Sequence, residues 1–199
     1  MNPNICHERG VVFVHNPKTA GMSFRKWLGF TGVVNHGVPT VNVPYQLWNK
    51  YTVIVVVRDP MERAISCYRF LTHESYAGGL KKAYPDLSQW DPLTFFRRIT
   101  SEQLYILACQ YKYTQHLQSN KGPDFLFKFE DMDTTRLAKH LDIETPFPRE
   151  NIGKSRAFVE LTEDLYYSLI DYFKVDYLLF NYKPKPYKEF LLRQEMLVG

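Results

Sequence analysis

The chain has 199 residues, enough for one domain with a substantial buried core. Its 45% apolar and 23% charged residues are those of an ordinary globular protein and exclude a disordered or fibrous one. Lys and Arg total 25 against 21 Asp and Glu, and the resulting +4 suits anionic ligands but falls short of the basic stripe of a nucleic-acid binder. No window approaches ~18 uninterrupted apolar residues, so no membrane span is expected. The opening MNPNICHERG lacks the apolar stretch of a signal peptide. Cys6, Cys67 and Cys109 are odd in number and scattered, which points to reduced thiols and a cytoplasmic setting.

In chain order, VVFVH at 11–15 is short, β-branched and unbroken in apolarity up to its histidine, as strands buried on both faces of a parallel sheet are. A helix is expected from Ser23 to about Phe30. TVIVVV at 52–57 is a second such strand, and a helix from Pro60 to about Leu71 follows it. There Asp59 stands at the N-cap, Pro60 at N1 and Glu62 at N3, an acidic variant of the capping box. The stretch 73–90 holds Gly78, Gly79 and Pro85 without a period and reads as a surface insertion. Residues 91–113 read as one or two helices, and FLFKF at 125–129 as a third strand interrupted by Lys128. The clearest helix covers 161–182: Thr162 caps it, Glu163 and Asp164 favour its positive end, and Leu165, Leu169, Phe173 and Tyr177 recur at helical spacing. Strands alternating with helices give an open α/β sheet. The expected organisation is a single domain over 1–182 with a basic, proline-interrupted tail at 183–199.

HNPKTAGMS carries the first chemical signal. A strand-to-helix turn gathers backbone N–H groups around one point and attracts an anion. Gly21 permits a tight turn, Ser23 can cap the helix, Thr19 and Ser23 add hydroxyls, and Lys18 adds a full charge. From these residues alone, an ordinary turn with a solvated lysine reads equally well. The lysine precedes the glycine, whereas in the nucleotide P-loop G-x-x-x-x-G-K-[ST] it follows. The GKS at 153–155 has Pro148 where the first P-loop glycine belongs, and no G-x-G-x-x-G or G-x-S-x-G is present. A second signal is RDPMERAISCY. It puts Arg58 at the carboxyl end of a buried strand, where open α/β sheets bind ligands, and Ser66 two turns into the next helix, with Arg63 one turn before it. An arginine and a hydroxyl so placed can grip a phosphate. The bland alternative pairs Arg58 with Asp59 or Glu62 and leaves Ser66 a surface hydroxyl.

Together, PKTAGMSF and RDPMERAISCY resemble the 5′-phosphosulfate loop (P-K-T-x-G-T-S-F) and 3′-phosphate motif (R-D-P-x-x-R-x-x-S-x-Y) of sulfotransferases that use 3′-phosphoadenosine 5′-phosphosulfate (PAPS). The resemblance continues in order through QYKY at 110–113, FLFKFEDMD at 125–133, NIGKS at 151–155 and the segment 161–182. It is closest to the branch that sulfates sugar hydroxyls, including the uronyl 2-O-sulfotransferases. It implies a P-loop-like three-layer α/β fold with a central parallel sheet flanked by helices, and PAPS as donor with PAP as product. The implied acceptor is a hydroxyl, foremost of a carbohydrate. Pro17, Lys18, Thr19, Ala20, Gly21, Met22 and Ser23 match the loop that holds the 5′-phosphosulfate, and Lys18 matches the lysine that contacts the bridging oxygen. Met22 departs from the usual threonine and removes one hydroxyl contact. Arg58 and Ser66 match the 3′-phosphate grip. Lys154, Ser155 and Arg156 stand where basic residues close over that phosphate in related enzymes. Sulfuryl transfer has less need of a metal clamp, and no H-x-x-x-H or C-x-x-C spacing occurs.

An acceptor hydroxyl must lose a proton as it attacks. Of His7, His15, His36, His73, His116 and His140, the resemblance favours His36. It lies in VVNHGVPTV, in the interval where the carbohydrate branch carries its catalytic histidine beside a glycine. An ordinary pKa of ~6.5 suits that task. His73 and Glu74, in the insertion after the 3′-phosphate helix, are the next candidates. His15 reads as support for the loop, and His140, Glu130 and Asp131 read as structural. Two other functions remain open: a protein that binds PAP without catalysis, and a P-loop-type small-molecule kinase using ATP and Mg²⁺.

Overall fold

The computed structural model describes residues 2–148 and 158–198. The chain divides into two compact units, one of residues 1–59 and 110–152, the other of residues 60–109 and 153–199.

The first unit is built on strands β1 (Ile5–Cys6), β2 (Val11–Val14), β3 (Thr52–Val57) and β4 (Phe125–Lys128), hydrogen-bonded in that order. β2, β3 and β4 run parallel, with Val11 opposite Thr52 and Ile54 opposite Phe125, whereas the short β1 pairs antiparallel to β2. The sheet is therefore mixed but mostly parallel. Every side chain of β2, and of β3 from Val53 on, is at most 1% exposed, so both faces are covered. That is why these segments show no alternation of apolar and polar residues. On one face Val11, Phe13, Ile54 and Val56 pack with Phe24, Trp27 and Leu28, from helix α1 (Gly21–Trp27) and the residue that ends it. Leu137 joins them from helix α7 (Thr135–His140). The crossover from β2 to β3 also holds the short helices α2 (Pro39–Asn42) and α3 (Tyr45–Lys50). Trp48 of α3 is fully buried and its indole N–H donates to the Lys121 carbonyl at 2.8 Å.

α1 starts at Gly21, with Ala20 as its N-cap, so Ser23 lies inside the helix and is buried rather than capping it. The reason is local: the chain turns through left-handed φ at Lys18 and Ala20 and enters the helix two residues early.

The second unit is helical: α4 (Pro60–Leu71), α5 (Gly79–Ala83), α6 (Pro92–Ser101), α8 (Glu163–Tyr172), α9 (Lys174–Leu179) and α10 (Tyr187–Val198). α4 has the bounds read from the sequence. Residues 91–113 hold one α-helix: Asp91 caps it by accepting from the Thr94 amide at 2.7 Å, and 3₁₀ turns follow at 105–107 and 110–113. The segment 161–182 is two helices rather than one. Thr162 caps the first as expected, and Phe173 serves both as C-cap of α8 and N-cap of α9. The stretch 73–90 is more than a surface insertion, because Leu80, Leu87 and Trp90 enter the core beside Phe95, Phe96 and Leu169. The tail is helical from Tyr187, with Phe190 in that core and the Gln194 side chain donating to the Val159 carbonyl at 2.9 Å. Among the described residues no helix is long and apolar enough to cross a membrane.

Candidate active site

The loop after β2 is anchored by buried side chains. His15, Asn16 and Thr19 are at most 4% exposed, and the Thr19 hydroxyl donates back to the Asn16 carbonyl at 2.9 Å. Lys18 and Ala20 have φ of 64° and 63°, a conformation that costs a non-glycine residue about 1–2 kcal/mol each. Left-handed residues alternating with ordinary ones make the backbone pattern of an anion-binding nest. Gly21 is needed for a different reason from the turn expected of it. A Cβ there would stand 1.8 Å from His15 Nε2, so its missing side chain makes room for that ring. Pro17 is buried, Lys18 and Ala20 are half-buried, and Met22 points outward at 44% exposed.

Arg58 leaves the end of β3 toward this loop. Its Nη1 donates to the Lys18 carbonyl at 3.4 Å and its guanidinium carbon lies 4.5 Å from the centre of the Phe129 ring. Its backbone is held by Gln110, whose Nε2 donates to the Arg58 carbonyl at 2.7 Å and whose Oε1 accepts from the Arg58 amide at 2.9 Å. The next residue, Asp59, donates its amide to Glu130 Oε1 at 2.8 Å, which ties Glu130 to the chain just past β3.

His36 is brought to the same loop. Its Nδ1 lies 3.2 Å from the His15 carbonyl, and the two rings meet edge to face with centres 4.4 Å apart. A carbonyl only accepts, so Nδ1 carries the proton and Nε2 keeps its lone pair. Burial lowers the His36 pKa below 6.5, the charges of Lys18 and Arg25 lower it further, and the bond to the His15 carbonyl opposes them. His15 is pushed down to about 3, by burial first and then by His36 and Arg25. Both rings are neutral at pH 7. Arg25 also shapes the segment leading to His36: it is buried and donates to the carbonyls of Pro3, Thr31 and Gly32 at 2.6, 3.1 and 3.1 Å.

The other expected residues belong to other segments of the chain. Ser66 is half-buried on α4, in the second unit. On the same helix Arg63 is fully buried, donating to the Ala108 carbonyl at 2.6 Å, which makes it a structural residue. His73 and Glu74 are exposed in the second unit, and the His73 ring pairs locally with Ser75 at 2.8 Å. His140 bonds Thr52 at the start of β3, 3.0 Å away, consistent with a structural role. Lys154, Ser155 and Arg156 lie outside the described residues. Asn16, Arg25 and Gln110 were missed from the sequence. Gln110 did fall within QYKY, the one sequence cue that could have drawn attention to it.

A family model described as the sulfotransferase family matches residues 4–183. No curated protein and no solved structure matches the chain. The match begins before β1, runs through the lysine loop, Arg58 and α8, and ends at the head of the tail, so the chain belongs to the sulfotransferase family.

Proposed function

We propose that this sulfotransferase uses PAPS as donor and a hydroxyl, foremost of a carbohydrate, as acceptor, with Lys18 and His36 as its catalytic residues. The observation that carries the reading is the neutral His36, with Nε2 available, held against the loop that carries Lys18 and that Arg58 also contacts. The donor set suits the anionic ends of such a nucleotide: a left-handed backbone nest, an ammonium and a guanidinium. When bound, PAPS supplies a sulfuryl group joined through a bridging oxygen to a phosphate leaving group.

The chain's own residues then divide the work. The 17–23 backbone and the Lys18 ammonium receive the 5′ end, and Arg58 receives the 3′-phosphate, the group to which the sequence resemblance also assigns Ser66. As the acceptor oxygen forms its bond to sulfur, His36 Nε2 takes the hydroxyl proton. The bond from sulfur to the bridging oxygen breaks, and its electron pair stays on the phosphate. Lys18 faces the charge that grows there, which stabilises the transition state more than the ground state. The His15 carbonyl keeps His36 in the tautomer that can accept a proton.

Thermal unfolding with PAP, and separately with ATP and Mg²⁺, tests the donor. PAP at about 100 times its dissociation constant adds ~2.7 kcal/mol, or roughly 5–11 °C for a domain of this size. That shift is expected with metal-free PAP and should shrink in Arg58→Ala. A shift with ATP and Mg²⁺ alone would make the protein a kinase instead. Lys18→Ala should abolish transfer while PAP still binds, and His36→Ala should cost ~10²–10⁴-fold in turnover. Normal turnover in His36→Ala would move the base to His73 or Glu74. PAP binding without transfer to any hydroxyl acceptor would leave a non-catalytic binder.

A further inference from the structure

The strand that delivers Arg58 ends one residue before it. Val57 is the last β3 residue in register with β4, and its carbonyl accepts from the Phe129 amide at 2.8 Å. Arg58 therefore needs partners from outside the ladder to fix its backbone. Gln110 supplies them with one carboxamide that is 0% exposed and that takes both the N–H and the C=O of Arg58, as a neighbouring strand would. The same Oε1 accepts from Asn16 Nδ2 at 3.1 Å, and that Nδ2 also donates to the Val56 carbonyl at 3.0 Å. The Asn16 carbonyl in turn receives the Thr19 hydroxyl. One side chain thus joins the end of β3 to the root of the lysine loop.

We infer that Gln110 is a positioning residue for donor binding. Its carboxamide fixes the Arg58 backbone, and through it the direction of the guanidinium toward the donor's phosphate. Only a primary amide fits, because the position needs an oxygen that accepts twice and a nitrogen that donates. A carboxylate lacks the donor, and an apolar side chain leaves both Arg58 backbone groups without this partner. The inference rests on the proposed role of Arg58 in holding the donor.

The test is PAP affinity by calorimetry in a double-mutant cycle of Gln110→Met with Arg58→Ala. If Gln110 acts through the Arg58 side chain, Gln110→Met weakens PAP by roughly tenfold in the wild-type background and by less than about twofold when Arg58 is already alanine. Equal losses in the two backgrounds, or no loss in either, would overturn the inference while leaving the donor reading intact. Absence of PAP binding by the wild type would overturn the donor reading first, and the inference with it. Gln110→Asn, which keeps the carboxamide uncharged but draws it back from Arg58 by one methylene, covers the case in which the methionine variant does not fold, and the same difference between the two backgrounds decides.

Discussion

Burial and three neighbours set the charge state of His36, the proposed base, and each leaves a measurable mark. Burial and the charges of Lys18 and Arg25 act against its protonation, while the bond from Nδ1 to the His15 carbonyl acts for it, with a net lowering from 6.5. A lowered pKa keeps the ring neutral to more acid pH. Its midpoint in an NMR titration of the histidine ring protons is therefore expected below 6.5. Lys18→Met removes one of the depressing charges, so the midpoint should move up toward ~6.5. A wild-type midpoint at or above that value, or no movement in the variant, would remove the electrostatic link between the proposed base and Lys18. By the same sign, the acid limb of kcat/KM should fall below 6.5. None of this was legible from residues alone. The sequence offered six histidines, and only the resemblance singled out His36. Its partner is a backbone carbonyl 21 positions away, which no local pattern encodes.

At the scale of elements, what could be read was what local pattern dictates. β2, β3 and α4 announce themselves by unbroken β-branched runs and by proline at a helix start, and each came out near its expected bounds. The start of α1 did not, because the left-handed turn is made by Lys18 and Ala20, which carry no glycine signal. The segment 161–182 kept its apolar spacing across Phe173, so periodicity could not show the break there. Residues 73–90 lacked a period because their inward side chains, Leu80, Leu87 and Trp90, sit on pieces too short to show one. Gln110 was illegible for the same reason as the His36 contact, since its bond to Asn16 spans 94 positions. Gly21 joins both scales: the glycine was visible, its reason was not. In Gly21→Ala the new Cβ meets the His15 ring, which has Phe13 5.8 Å and His36 4.4 Å from its centre and little room to retreat. Such overpacking should cost about 1–3 kcal/mol in denaturant unfolding. The cost should largely vanish in the His15→Ala background, where the obstacle is gone. An equal cost in both backgrounds would mean that Gly21 serves backbone freedom after all.

At the scale of the whole chain, the histidines are unevenly shared. His7, His15, His36, His116 and His140 belong to the first compact unit, and the second has His73, which is exposed. The consequence is an acid sensitivity that differs between the units. His15, held down to about 3, stays neutral in the folded chain at pH values where an unfolded one takes up a proton below 6.5. The unfolded state then binds more protons, so stability falls as pH falls, beginning near 6.5 and continuing toward 3 for this group. His36, also lowered, adds in the same direction. Between about pH 6.5 and 5, above the ordinary carboxylate range, His15 alone withdraws roughly 2 kcal/mol. Hydrogen exchange at about pH 6.8 and 5.2, corrected for the intrinsic rate of amide exchange, reads this segment by segment. Protection should drop over 11–14 and 52–57 at the lower pH and hold over 95–99 and 163–172. His15→Leu, which cannot take up a proton in either state, should flatten most of the pH dependence in the first unit. Equal loss in both units, or a dependence that survives His15→Leu, would place the acid-sensitive group somewhere other than beneath the lysine loop.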